Sequence, residues 1–144
     1  PVDVIYTSCL KRTQETAQLA FPDRQVQPIA DFNERGFGQW EGLTADEIEA
    51  AFPEVWQAWL EAPFEVTPPE AEVFSDFQTR VWRATDRLLD SEEESMALVA
   101  HLGVLRLIYQ HLVDGEAVFW NIDVPQGRVL LLEERDQTWQ ATLL

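Results

Sequence analysis

Apolar positions along the chain change period several times, and each change marks an element. Val2, Val4, Ile5 and Tyr6 read as a short buried strand within 2–8. Helical spacing follows over 9–21, with Leu10, Thr13, Ala17 and Ala20 facing inward. Val26 to Ile29 forms a second short strand, which runs into DFNERGFGQWEGLT, a segment whose glycines let the backbone bend closely. Thr44 and Glu47 then make a capping box at a helix start. Pro53 opens a further helix with a Trp56/Trp59/Leu60 stripe. Beyond a loop stiffened by Pro63, Pro68 and Pro69, the longest helix is expected over 73–90. Its inward face carries Phe74, Phe77, Val81, Ala84 (or Thr85) and Leu88.

After the acidic turn 91–95, MALVAH is a continuous apolar run of strand length, which predicts cover on both faces. It breaks at His101-Leu102-Gly103 and resumes as a helix, VLRLIYQHLV, closed by Asp114-Gly115. Strands near 128–133 and 138–143 follow, with Asp136-Gln137 as the hairpin turn. Alternating strands and helices predict an α/β fold: a three-layer sandwich, mostly parallel, with an antiparallel C-terminal hairpin. One domain is expected over 1–144.

Composition narrows the partners. The chain has 144 residues with 26 Asp+Glu against 10 Lys+Arg, a formal charge of −16. Such a surface repels nucleic-acid backbones and anionic membranes, so neither is expected as a partner. Nine of the ten basic residues are Arg, the side chain suited to bidentate oxyanion contacts, and the tenth is Lys11. Cys9 is the single cysteine, which rules out an internal disulfide and favours a reducing, cytoplasmic setting.

In parallel sheets, ligands bind beyond the carboxyl ends of the strands. Two strand-to-helix turns point there, one holding Arg12 and one holding His101, with Glu34 in the Gly-punctuated loop. Two cations and one carboxyl group are the parts needed to hold a phosphomonoester dianion and protonate its leaving oxygen. Each residue also has a plainer role open to it. Arg12 could pair on the surface with Glu15 or Asp23, His101 could bond backbone, and Glu34 is one of many acids.

Four segments resemble the histidine phosphatase (phosphoglycerate mutase-like) superfamily. IYTSCLKRTQETA is similar to its SxLxRAxxTA turn, DFNERGFGQWEG to its LxExxFGxWEG segment, PPEAEVFSDFQTRV to its PPGGES stretch, and LVAHLGVLRLI to its VSHGGVIR. The likeness runs through FWNIDVPQGRVLLLE and leans towards the α-ribazole phosphatase-like branch. It implies that Arg12 grips the phosphoryl group, that Glu34 is the proton donor and later the base, and that His101 hydrogen-bonds the phosphoryl oxygens. Backbone N–H groups of Leu102 and Gly103 would assist. No metal or other cofactor is implied, and the partner would be a small phosphorylated metabolite. Oligomeric state stays open, a homodimer included.

The sequence departs from the family pattern at three places. Leu102 replaces a Gly, and Glu70-Ala71 replaces a Gly-Gly. The family's nucleophile, a histidine in an Arg-His-Gly turn, has no counterpart, since the histidines are His101 and His111. The chain begins at the family's second strand, so the resemblance implies an N-terminally incomplete domain that is inactive as it stands. Its intact parent would be a phosphomonoester hydrolase working through phosphohistidine. The alternatives are mutase-type phosphoryl transfer and a catalytically inactive phosphate-binding relative. A Cys9 nucleophile fits poorly, because only two residues separate it from Arg12.

Overall fold

The computed structural model describes residues 2–144. Its elements run in the order β1 (Val4–Thr7), α1 (Lys11–Ala20), β2 (Gln27–Pro28), α2 (Ala45–Ala51), α3 (Pro53–Glu61), α4 (Phe74–Leu89), β3 (Met96–Val99), α5 (Leu102–Leu112), β4 (Leu130–Arg135) and β5 (Thr138–Leu143). The chain forms two compact units. One joins the stretch up to Glu34 with Val81–Leu144, and the other is Arg35–Arg80.

In the first unit β1 pairs in parallel with β2 on one side and β3 on the other, giving the order β2-β1-β3. β4 and β5 form a separate antiparallel pair. This is the expected α/β class, with a parallel sheet and a C-terminal hairpin. All four residues of β1 are buried, because strands flank it on both edges and α1 lies against it through Thr13 and Ala17. Val81, Ala84 and Thr85 of α4 and Val104, Leu107 and Ile108 of α5 are buried too. The Trp82 indole N–H ties these helices by donating to the Leu107 carbonyl at 2.9 Å. Arg135 pairs with Thr138, so Asp136-Gln137 is the whole turn, both residues at positive φ as a primed turn requires.

Several expectations need correction. β3 is only half-buried at every position, not covered on both faces, because it is an edge of the three-stranded sheet. Of Val26–Ile29 only Gln27 and Pro28 are in strand register with β1, and the Ile29 N–H adds one bond to the Thr7 carbonyl at 2.8 Å before the chain turns away. Ala20 is exposed, as α1 ends there and its last turn clears the sheet. The final helix starts directly after His101, at Leu102, and ends at Leu112 before Asp114-Gly115 is reached.

The second unit is helical. Thr44 and Glu47 complete the capping box in both directions, at 3.2 and 3.1 Å. Trp40, Trp56 and Trp59 form one aromatic cluster, with ring centroids 5.7 to 5.8 Å apart. Leu60 drops out of the expected stripe and is exposed. Glu72 accepts two hydrogen bonds from Arg80, at 2.7 and 2.8 Å. Burial pushes the Glu72 carboxyl up, but Arg80, the Gly36 backbone and Arg35 together hold it below the usual carboxylate value. Glu70, where the family pattern has glycine, sits in the left-handed region at φ 61°.

Candidate active site

The site forms within the first unit, where β1 and β3 end side by side. Thr7 pairs with Val99, and the Ser8 N–H continues the ladder by donating to the Val99 carbonyl at 3.2 Å. Each strand then turns directly into a helix. His101 caps α5 in extended conformation, while Leu10 caps α1. Arg12 and His101 are thereby carried to the same sheet end, and the Arg12 Nη2 lies 3.2 Å from the His101 Nδ1. The surface pairing open to Arg12 falls instead to its neighbour, as Lys11 meets Glu15 at 3.7 Å.

Glu34 reaches the same place from the loop after β2. That loop is anchored to the β1–α1 turn by the Cys9 N–H, which donates to the Asn33 Oδ1 at 2.7 Å. The Glu34 carboxylate accepts from the Gly103 N–H at 3.2 Å. It thus lies at the positive end of α5, where backbone donors lack helical acceptors. The absence of a side chain at Gly103 leaves room for that carboxylate. A β carbon on residue 103 would stand 3.1 Å from the Glu34 carboxyl carbon and closer still to Oε1. The resemblance assigned this N–H to a phosphoryl oxygen; in the structure Glu34 holds it.

His101 is buried, Glu34 half-buried and Arg12 exposed, so the guanidinium faces solvent while the imidazole lies behind it. Burial lowers the His101 pKa; Glu34 raises it and Arg12 lowers it, and the net displacement is downward. The second ring nitrogen, Nε2, is 2.8 Å from the Ser8 Oγ, which is itself 2.6 Å from the Thr13 Oγ1. Ser8 and Thr13 are both buried. Helical spacing predicts that Thr13 faces inward, but nothing in the sequence joins it and Ser8 to His101. Ser8 stands in the TSCLKR segment that carries Arg12, but its contact with a histidine 93 positions away leaves no local trace.

His111, the other histidine, is used elsewhere. It lies 2.7 Å from the Asp86 Oδ1 and stacks on Trp82 with centroids 4.8 Å apart. Cys9 is exposed. A cavity of about 350 Å³, lined by residues such as Tyr109, Asn121, Ile122, Asp123 and Leu143, includes none of Arg12, Glu34 or His101. Among the described residues, no group of three or more His, Cys, Asp or Glu is arranged to hold a metal ion. No helix there is long and apolar enough to cross a membrane.

The whole chain, residues 1–144, matches the model of the histidine phosphatase superfamily (branch 1). It is 34% identical over 129 residues to the adenosylcobalamin/alpha-ribazole phosphatase of Escherichia coli (strain K12), covering 87% of this chain and 64% of that protein. It is 27% identical over 140 residues to phosphoserine phosphatase 1 of Hydrogenobacter thermophilus, covering 93% of this chain and 66% of that one. The crystal structure of the alpha-ribazole phosphatase from Shigella flexneri superposes with a TM-score of 0.90 at 29% identity, over 100% of this chain and 73% of that one. The chain thus spans just under two thirds of the length of these two relatives.

Proposed function

From the premise that this chain belongs to the histidine phosphatase superfamily (branch 1), we propose that Arg12, Glu34 and His101 serve a metal-independent phosphomonoester hydrolase acting on a small phosphorylated metabolite. The observation that carries this reading is that Arg12 meets His101, and Glu34 meets Gly103 two residues on, at the ends of two paired strands. A phosphoryl dianion bound there meets the fixed positive charge of Arg12, which a guanidinium keeps at any physiological pH. His101 contacts its oxygens at Nδ1 once that nitrogen carries a proton. Glu34 gives its proton to the leaving oxygen as the P–O bond breaks and the phosphoryl group passes to a nucleophilic histidine. It then takes a proton from the water that cleaves the P–N bond and releases phosphate.

Neither histidine of this chain suits the nucleophile. His101 has Ser8 on one ring nitrogen and Arg12 on the other, and His111 is held by Asp86. On this reading the 144-residue chain binds phosphate without completing a turnover, and catalysis belongs to a longer protein that supplies the nucleophile. Calorimetric titration with inorganic phosphate and orthovanadate, beside a p-nitrophenyl phosphate assay, tests it. The expected result is binding that Arg12→Ala abolishes, with no hydrolysis above buffer. No binding at all would refute the phosphate site. Hydrolysis abolished by His101→Ala would put the nucleophile on this chain.

A further inference from the structure

We infer that Ser8 and Thr13 are positioning residues that hold His101 as the Nε2–H tautomer, leaving Nδ1 as the one nitrogen that exchanges a proton with the site. The inference rests on the proposed role of His101 in anion binding, and its geometry stands on the hydrogen bonds alone.

Two ends of one chain of contacts impose the same tautomer. At the outer end, a guanidinium has only donors, so Arg12 requires an unprotonated Nδ1 as acceptor across their 3.2 Å contact. A neutral imidazole then carries its proton on Nε2. At the inner end, the Thr13 hydroxyl lies 2.9 Å from the Leu10 carbonyl, which can only accept, so Thr13 donates there. Its oxygen is left to accept from Ser8 at 2.6 Å. With its hydrogen committed to Thr13, Ser8 must accept at 2.8 Å from Nε2–H. A further donor, the Leu10 N–H at 3.3 Å, occupies the remaining lone pair of the Ser8 oxygen. Every site on the Ser8 hydroxyl and the hydrogen of Thr13 are therefore assigned, and each assignment agrees with Arg12.

The direction of this relay has a functional result. Protonation of His101 leaves Ser8 undisturbed, because Nε2–H is present in both charge states. The incoming proton can enter only at Nδ1, on the side that faces Arg12. In the empty site that proton would point at a guanidinium. A bound phosphoryl dianion gives it an acceptor instead, so anion binding and proton uptake at Nδ1 occur together. Ser8 and Thr13 touch no substrate in this scheme. They act through the ring they hold.

Long-range proton–nitrogen NMR of histidine-labelled chain reads the tautomer directly, with His111→Gln assigning the two rings. Above neutral pH, His101 of the parent chain should show a protonated Nε2 and a bare Nδ1. Ser8→Ala should shift the tautomer ratio towards Nδ1–H by roughly fivefold, the factor that one neutral hydrogen bond is worth. Thr13→Val, which keeps volume and frees the Ser8 hydrogen, should shift it the same way, and Ser8→Thr should restore the parent pattern. A protonated Nδ1 in the parent chain, or an unchanged ratio in both Ser8→Ala and Thr13→Val, would overturn the inference. Phosphate titration of the same samples separates it from the functional reading. The Nε2–H pattern without phosphate binding refutes only the phosphate site. Phosphate binding with a ratio indifferent to Ser8 and Thr13 refutes only the relay.

Discussion

The Gly103 N–H and the Glu34 Oε2 meet at 3.2 Å, so the carboxylate of one loop completes the first turn of α5. Gly103→Ala inserts a methyl group against that carboxylate, which is the mobile end of a long side chain and can swing away. Folding stability should move by less than about 1 kcal/mol, since alanine's better helix propensity offsets part of the lost contact. In the longer, turnover-competent protein, kcat should fall about a hundredfold as the proton donor leaves its place. Thermal melts beside steady-state kinetics check the split. A variant that melts early with kcat intact contradicts it.

Glu34→Gln keeps the size and the Gly103 contact but removes the transferable proton. In the competent protein kcat should drop by about 10²- to 10⁴-fold, the usual contribution of a general acid. Phosphate affinity should hold, because the amide keeps the size and the Gly103 contact. Comparing Kd by calorimetry with kcat is decisive, as proton donation belongs to the transition state and not to ground-state binding. Affinity lost in step with rate would remove Glu34 from the role.

The depressed pKa of His101 makes stability fall on acidification. The unfolded chain takes up its proton near the ordinary histidine value of 6.5, before the buried ring does. The stability held by the neutral ring is therefore complete above pH 6.5 and is lost as pH drops through the lower, folded value. His101→Gln should flatten denaturation midpoints across that window relative to the parent chain. Glu72 opens a second window below 4.5, again with stability lost as pH falls, because its folded pKa is also depressed. Parallel curves for parent and His101→Gln between pH 7 and 5 would contradict the first assignment.

In the helical unit, the doubly bonded Arg80–Glu72 pair should contribute measurably, with side chains 21% and 24% exposed. Arg80→Ala or Glu72→Gln is expected to cost about 1.5–3 kcal/mol, the range for hydrogen bonds to charged groups. A double-mutant cycle in urea isolates the pair from their other contacts. A coupling energy near zero would show that the two side chains act separately.

Much of this was legible because the responsible interactions are local. Thr44 and Glu47 announce a helix start three residues apart, and Asp136-Gln137 separates two strands by the length of a primed turn. Arg12 and His101 could be singled out because turns after strands are readable from periodicity, whereas Glu34, one of many acids, drew its role from the family resemblance. The depth of β3 was not readable in this way, since an apolar run reports what a strand can bury and not which neighbours it has. Ser8 and Thr13 escaped for a related reason. Hydroxyl residues near a helix start suggest capping, and only the fold brings His101 onto Ser8. Glu70 at φ 61° is the converse case, a bulky residue in a left-handed conformation that its side chain gives no reason to expect.

Cys9 acquires a practical meaning from its position. The sole thiol of the chain is exposed, follows Ser8 directly, and sits on a turn whose backbone Asn33 pins beside Glu34. A fluorophore attached there would sit on the turn that leads into Arg12 and would report changes in its surroundings. The molecule carries its own attachment point for an optical reporter, with no engineered cysteine and no competing sulfhydryl to block.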